Sequence, residues 1–229
     1  MRTGIGSIIE ILRDPGGSTS ARIDCHPGLI PAPGQYLHAH NPDEADSVLG
    51  WSLFPMGLDS ASGLVAGPIP TTWGPGSTLN LRGPLGSGFA IPDVITRLAL
   101  IMLGETASRL LPLLHTALGK NTDIAIFTDT PLPPLPPAIE IHPLSSVEEA
   151  LEWANFIAIE IPWRQISNLR NILGLSPHDY LPCPVQALIS IPMPCSGVGD
   201  CSACAVKVRR GYKLACKDGP VFDLNSLEW

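Results

Sequence analysis

Over the first ninety residues, apolar and polar positions alternate in short runs that Gly and Pro interrupt every few places. Gly4–Arg13 and Ser18–Cys25 read as two strands joined by a turn at Asp14-Pro15-Gly16-Gly17. Gln35–His40, Gly50–Phe54 and Ser77–Leu81 read as further strands. Short strands with frequent turn signals predict a small antiparallel barrel over residues 1–90.

Residues 91–187 follow a different pattern. Val94–Leu103 is an apolar, strand-like run, and across Glu105–Leu118 the residues Ala107, Leu110, Leu111, Leu114 and Leu118 recur at helical spacing. Asp123–Thr128 predicts another strand, after which the proline-rich Thr130–Pro137 fits neither a helix nor a central strand. Ser145-Ser146-Val147-Glu148 has the form of a capping box that opens a helix continuing through Glu149–Ala154, and Phe156–Ile161 is again a strand. Alternation of strand and helix predicts a small α/β layer. Residues 188–229 make a third module, and the chain has no internal repeat.

That third module carries the most specific chemistry. Cys195, Cys201, Cys204 and Cys216 are spaced C-x5-C-x2-C-x11-C, four thiolates within twenty-two residues. Ser196-Gly197-Val198-Gly199-Asp200 is a small-residue loop able to turn several backbone N–H groups toward a bound anion or sulfide. A wide cysteine gap, a C-x2-C pair and a later fourth cysteine is the order of plant-type [2Fe–2S] sites. A structural zinc site is the competing reading, although it usually presents two C-x2-C knuckles and only one is present. Disulfides need an oxidising compartment, and residues 1–20 contain no apolar signal-like core. Unrelated buried thiols fit Cys25 and Cys183 better than the clustered four.

The stretch GVGDCSACAVKVRRGYKLACKDGPVFDL resembles the C-terminal cluster-binding segment of the dihydroorotate dehydrogenase electron-transfer subunits, which pair with a separate catalytic subunit. The common form of that segment has four residues between its first two cysteines. A gapless alignment on Gly197-Val198-Gly199 therefore places Ser196 at the first ligand position, whereas a one-residue insertion places Cys195 there. A hydroxyl is a poor iron ligand beside a thiolate, so Cys195 is the expected ligand. Upstream, Pro33-Gly34-Gln35-Tyr36 resembles the PGQ-aromatic strand of ferredoxin-reductase-type flavin domains, and Arg82–Phe89 resembles the GPLGxGF turn that closes them.

The resemblance implies FAD in the barrel, with Ser52 near the ring, Thr71-Thr72 approaching the pyrophosphate and Gly86 in the closing turn. The family's Arg-Pro-x-Ser strand corresponds here to Gly50-Trp51-Ser52-Leu53-Phe54, which lacks the phosphate-pairing arginine. Trp51 either stacks on a flavin or fills its volume. The glycine-rich turn that receives a nucleotide phosphate is reduced to Gly104 followed by Glu105, a negative charge at a helix start. The Cys-Gly-Pro turn flanking nicotinamide is matched only by Glu160-Ile161-Pro162-Trp163, so NAD binding is expected to be lost.

Composition narrows the picture further. Only 15% of the 229 residues are charged and the net charge is −7, which argues against general nucleic-acid binding and for a surface partly covered by a partner. Lys207, Arg209, Arg210, Lys213 and Lys217 gather five of the fourteen basic residues near the cysteines, either to steer an acidic redox partner or to solvate a small domain. No apolar run approaches the roughly 18 residues of a membrane helix, so a soluble, cytoplasmic chain is expected. His38 and His40 share one strand face, a weaker candidate for a two-histidine metal pair.

Two functional readings follow. In the first, the chain is an electron-transfer subunit in pyrimidine biosynthesis rather than a stand-alone enzyme. It carries a [2Fe–2S] cluster and FAD and forms a hetero-oligomer with a dihydroorotate dehydrogenase-type flavoprotein and a redox carrier. In the second, it is a non-catalytic iron–sulfur relay or scaffold subunit that has lost FAD and NAD binding.

Overall fold

The computed structural model describes residues 1–44, 49–57, 63–104, 106, 109–120, 122–176 and 178–229. Six strands close a barrel: β1 (Arg2–Arg13), β2 (Thr19–Cys25), β3 (Tyr36–His40), β4 (Trp51–Pro55), β5 (Leu64–Gly67) and β6 (Thr78–Leu85). They are hydrogen-bonded in the order β1-β2-β5-β4-β3-β6, all antiparallel, and β6 closes onto β1. Strand β6 shows why the sequence folds this way. Leu79 and Leu81 turn inward between exposed Thr78 and Asn80, and meet Ile8, Ile23, Leu37 and Leu53 in the barrel core. Strand β5 lies in a stretch for which the sequence predicts no strand.

The second layer is a six-stranded sheet of β7 (Arg97–Met102), β8 (Asp123–Phe127), β9 (Ile139–His142), β10 (Phe156–Pro162), β11 (Val185–Ser190) and β14 (Val221–Asp223). Its order is β14-β11-β10-β7-β8-β9, parallel except for β14. The chain winds outward from β7 through β8 to β9, then returns to lay β10 and β11 on the other side. The strand order therefore reverses between β7 and β10, where doubly wound sheets place their ligands. Strands β7 and β10 are almost continuously apolar because they are buried from both faces.

The expected helix over Glu105–Leu118 is corrected to α1 (Leu113–Leu118), with Pro112 at its N-cap. Proline has no N–H to donate and its ring collides with the preceding turn, so the regular helix begins after it. Glu105, Ala107 and Ser108 lie outside the described residues, and with them the reading of Glu105 as a helix-terminal charge. The capping box at Ser145–Glu148 is also not formed. A 3₁₀ turn at Leu144–Ser146 leads into α2 (Val147–Trp153), and neither serine side chain caps it. A short α3 (Leu169–Ile172) completes the cover of this layer.

Strand β11 runs through residues 187 and 188, so the cysteine segment grows directly out of the sheet. The segment adds a hairpin of β12 (Ala205–Val208) and β13 (Gly211–Leu214), one turn of helix α4 (Ala215–Asp218), and then β14, which returns to pair with β11. Trp229 ends under the Arg170 guanidinium, 4.3 Å from its ring centroid, tying the tail to α3. Among the described residues, no helix is long and apolar enough to cross a membrane.

Candidate metal centre and adjoining cavity

Cys195 sits in the loop that follows β11, Cys201 at the far end of that loop, Cys204 at the entry to β12, and Cys216 in α4. Ser196, Gly197 and Ser202 have φ of 44°, 82° and 55°. These left-handed conformations curl the loop and direct backbone N–H groups inward. The sulfurs come together as two pairs. Cys195 Sγ and Cys201 Sγ are 3.4 Å apart, and Cys204 Sγ and Cys216 Sγ are 3.2 Å apart. Among the described residues, no three His, Cys, Asp or Glu side chains converge on a single ion position.

Two thiolates on one tetrahedral metal at about 2.3 Å stand about 3.8 Å apart, so each pair is within a few tenths of an ångström of sharing one metal. Two such pairs match a group with two metals, each held by two thiolates. A lone tetrahedral ion needs all four sulfurs around one point.

The thiols also sense one another. Partial burial works to raise Cys195, but hydrogen bonds from Cys201 and from the backbone N–H groups of Gly197, Gly199 and Cys201 outweigh it and hold the thiol down at about 7. Cys216 is pushed up to about 12, first by burial and then by the Cys204 and Cys195 thiols nearby. The donors around Cys195 thus favour a thiolate on one pair, while the second pair is the buried one.

Ser196, the alternative first ligand, turns the other way. Its hydroxyl donates to the Met193 carbonyl at 3.1 Å and lies 3.3 Å from Ser52 Oγ on β4, and the residue is buried. Its own carbonyl accepts from Arg82 Nη2 at 2.7 Å. Ser196 thus links the loop to the barrel wall.

The two barrel motifs form the seam on which this segment rests. The buried Tyr36 hydroxyl donates to the Cys216 carbonyl at 3.0 Å. Gln35 donates through Nε2 to the Gly86 carbonyl at 3.1 Å. Gly86 has φ +73°, and a Cβ there would lie 2.5 Å from the Gly219 carbonyl oxygen. Only glycine fits both that conformation and that approach.

Beside the thiol loop lies a cavity of about 720 Å³. Trp51, Ser52 and Phe54 of β4 form one wall, residues 190–194 the other, and Arg109 one end. Arg109 crosses from the α/β layer to lie 4.9 Å over the Phe54 ring. Its Nη1 donates to Glu160 Oε1 at 3.1 Å and to Ser190 Oγ at 2.8 Å. Glu160, on β10 at the reversal point of the sheet, is 1% exposed. Burial pushes its carboxyl up to about 7 against the opposing pull of Arg109. A Cβ on Gly104 would stand 3.0 Å from Glu160 Oε1, so the carboxylate fills the space beside the glycine that a phosphate-binding turn would leave open.

Of the residues that the resemblance places near flavin, Trp51 and Ser52 line this cavity. Thr72 is exposed and donates to Glu44, and Gly86 belongs to the seam. Neither Thr72 nor Gly86 is among the residues that line this cavity. His38 faces Ser52 and Arg82 in the barrel register, and burial, then Arg82 and His40, lower its pKa. The Arg109–Glu160–Ser190 group has one sequence signal, a carboxylate inside the otherwise apolar Phe156–Pro162, which requires a buried partner.

Residues 192–228 match the family described as the iron-sulfur cluster binding domain of dihydroorotate dehydrogenase B. The four paired cysteines lie inside this iron–sulfur domain, and their arrangement fits a two-iron group. A curated relative, the electron transfer subunit of dihydroorotate dehydrogenase B (NAD(+)) from Clostridium perfringens, is 28% identical over 180 residues, covering 67% of this chain and 67% of its own. The NADH-dependent reduced ferredoxin-NADP oxidoreductase structure is similar in fold, with TM-score 0.74 and 17% identity over 99% of this chain and 90% of that one. Ferredoxin-NADP+ reductase from Plasmodium falciparum follows with TM-score 0.56 and 15% identity, over 77% of this chain and 90% of that one. The fold is thus that of ferredoxin reductases: a flavin-domain-like barrel, an α/β layer and an added iron–sulfur domain.

Proposed function

We propose that this chain is an electron-transfer subunit with a [2Fe–2S] cluster, working beside a catalytic flavoprotein of the dihydroorotate dehydrogenase type in pyrimidine biosynthesis. In this reading Cys195 and Cys201 hold one iron and Cys204 and Cys216 the other. The observation that carries it is the resolution of four clustered thiols into two pairs, 3.4 and 3.2 Å apart, inside a segment of the matching family. When bound, such a group supplies reversible one-electron transfer.

The protein's own residues do the placing. The Ser196–Gly199 loop donates N–H groups to Cys195, and Tyr36 fixes the backbone of Cys216 from the barrel side. Pro194 lines the cavity and Cys195 follows it directly, so a flavin there and the thiol loop share one wall. Cys201 is exposed, with Val198 and Tyr212 exposed on the same segment, and this is the side we assign to the partner subunit in a hetero-oligomer. A cytoplasmic location, and an organisation into residues 1–90, 91–187 and 188–229, belong to the same reading.

FAD is the second cofactor we propose, in the 720 Å³ cavity, which has the size and mostly apolar lining of small-ligand sites. Nicotinamide is not part of the proposal, because the Glu160 carboxylate occupies the place beside Gly104. The test is an absorbance spectrum of anaerobically purified protein with iron, sulfide and released flavin quantified on the same sample. Two irons and two sulfides with one FAD support the whole reading. Cluster without flavin favours the relay, and zinc without sulfide removes both.

A further inference from the structure

The missing arginine of β4 leaves the cavity wall without a cation where the resemblance implies one, yet a cation enters the cavity from another element. Arg109 comes from the connection after β7, and its guanidinium lies over Phe54 of β4 and lines the cavity end. One nitrogen, Nη1, is used by Glu160 and Ser190, while the buried Nε has no partner. Glu160 Oε2, also buried, has none either. A buried unpartnered donor and acceptor are costly unless something completes them, and here both sit where the strand order reverses.

We infer that Arg109, held by Glu160 and Ser190, is the cationic positioning contact for a planar aromatic ligand in this cavity, meeting a carbonyl-bearing or anionic edge of the ligand. This rests on the flavin part of the proposed function. The geometry fits that class of ligand. Trp51 lines the cavity with an exposed aromatic ring, the guanidinium offers coplanar donors, and the carboxylate fixes the plane of the guanidinium. A fixed positive charge beside a redox ring also favours its more negative, reduced form, so the contact bears on potential as well as on affinity.

The experiment titrates FAD into flavin-stripped full-length protein and follows fluorescence quenching, with iron and sulfide measured on every sample. Arg109→Gln combined with Glu160→Gln exchanges the ion pair for two amides and leaves no lone buried charge. Arg109→Lys retains the charge but loses the planar fork. We expect the double variant to bind FAD at least about tenfold more weakly and Arg109→Lys to fall between it and the unaltered protein, with iron and sulfide unchanged. Where FAD stays bound, its midpoint potential should fall in the double variant. FAD affinity equal to that of the unaltered protein in Arg109→Lys and in the double variant overturns the inference. So does an unaltered protein with its full iron content that takes up no FAD, and that result leaves the iron–sulfur reading standing. Absence of iron and sulfide from the unaltered protein defeats that reading instead, while the flavin titration still decides the role of Arg109.

Discussion

The phenol of Tyr36 donates a 3.0 Å hydrogen bond to the carbonyl of Cys216, 180 residues further along the chain. That bond ties the first barrel motif to the last of the four clustered cysteines. Tyr36 is fully buried, and burial foremost, then the Cys216 thiol, raises its pKa, so it stays a neutral donor. Tyr36→Phe keeps the ring packed against Phe54 but leaves a buried carbonyl without its donor. We expect a loss of about 1–3 kcal/mol in stability and faster loss of iron to a chelator. Thermal unfolding and chelator kinetics, compared with the unaltered protein, check both.

Cys195 and Ser196 are adjacent but point to opposite sides of their loop. Cys195→Ser is expected to remove one iron ligand and bleach the protein, whereas Ser196→Ala should keep full iron and lose only the link to Ser52 and Met193. The discriminating variant is Cys195→Ser combined with Ser196→Cys. It restores the common four-residue gap on paper, yet it places the new thiol against Met193 and away from Cys201. Iron content of the three proteins checks this, and recovery in the double variant would contradict the ligand assignment.

At Gly86 an added Cβ meets the Gly219 carbonyl at 2.5 Å and the backbone φ is +73°. Gly86→Ala should therefore unseat the iron–sulfur domain while leaving the barrel core intact, since Gly86 is outside that core. Hydrogen exchange is the measurement: protection should fall in Val221–Asp223 and be kept in Leu79 and Leu81.

Glu160 gives a pH signature. Its folded pKa is raised to about 7 by burial, above an unfolded value near 4.5. Between these two values the folded state holds more protons than the unfolded state, so this group's contribution to stability is full below about 4.5 and declines as pH rises to about 7. The slope from one group is at most about 1.4 kcal/mol per pH unit. Denaturant unfolding of the unaltered protein and of Glu160→Gln across this range isolates it, because the difference between them should vary with pH only inside that window.

The cysteine spacing, five of the six barrel strands and the two seam motifs are readable in the sequence, because local chemistry sets them: alternation for strands, glycine where backbones approach, thiols at fixed intervals. Helix α1 was misread because periodic leucines from 110 to 118 outweigh, on paper, a single Pro112 that stops the helix from starting earlier. Strand β9 (Ile139–His142) was missed because four residues after a proline-rich stretch carry little periodic signal. The Arg109–Glu160 pair joins residues 51 positions apart, and only the parallel pairing of β7 with β10 brings them together. Thr72 and Gly86 are assigned to flavin by resemblance, and the fold sets Thr72 beside Glu44 and Gly86 against Gly219.

The most direct measurement is electron paramagnetic resonance of the dithionite-reduced protein, with iron and acid-labile sulfide counted on the same sample. Two thiol pairs predict two irons and two sulfides per chain, and a single spin-one-half signal that disappears in Cys204→Ser. A silent spectrum with one zinc and no sulfide per chain would contradict the paired-thiol cluster and, with it, the electron-transfer role.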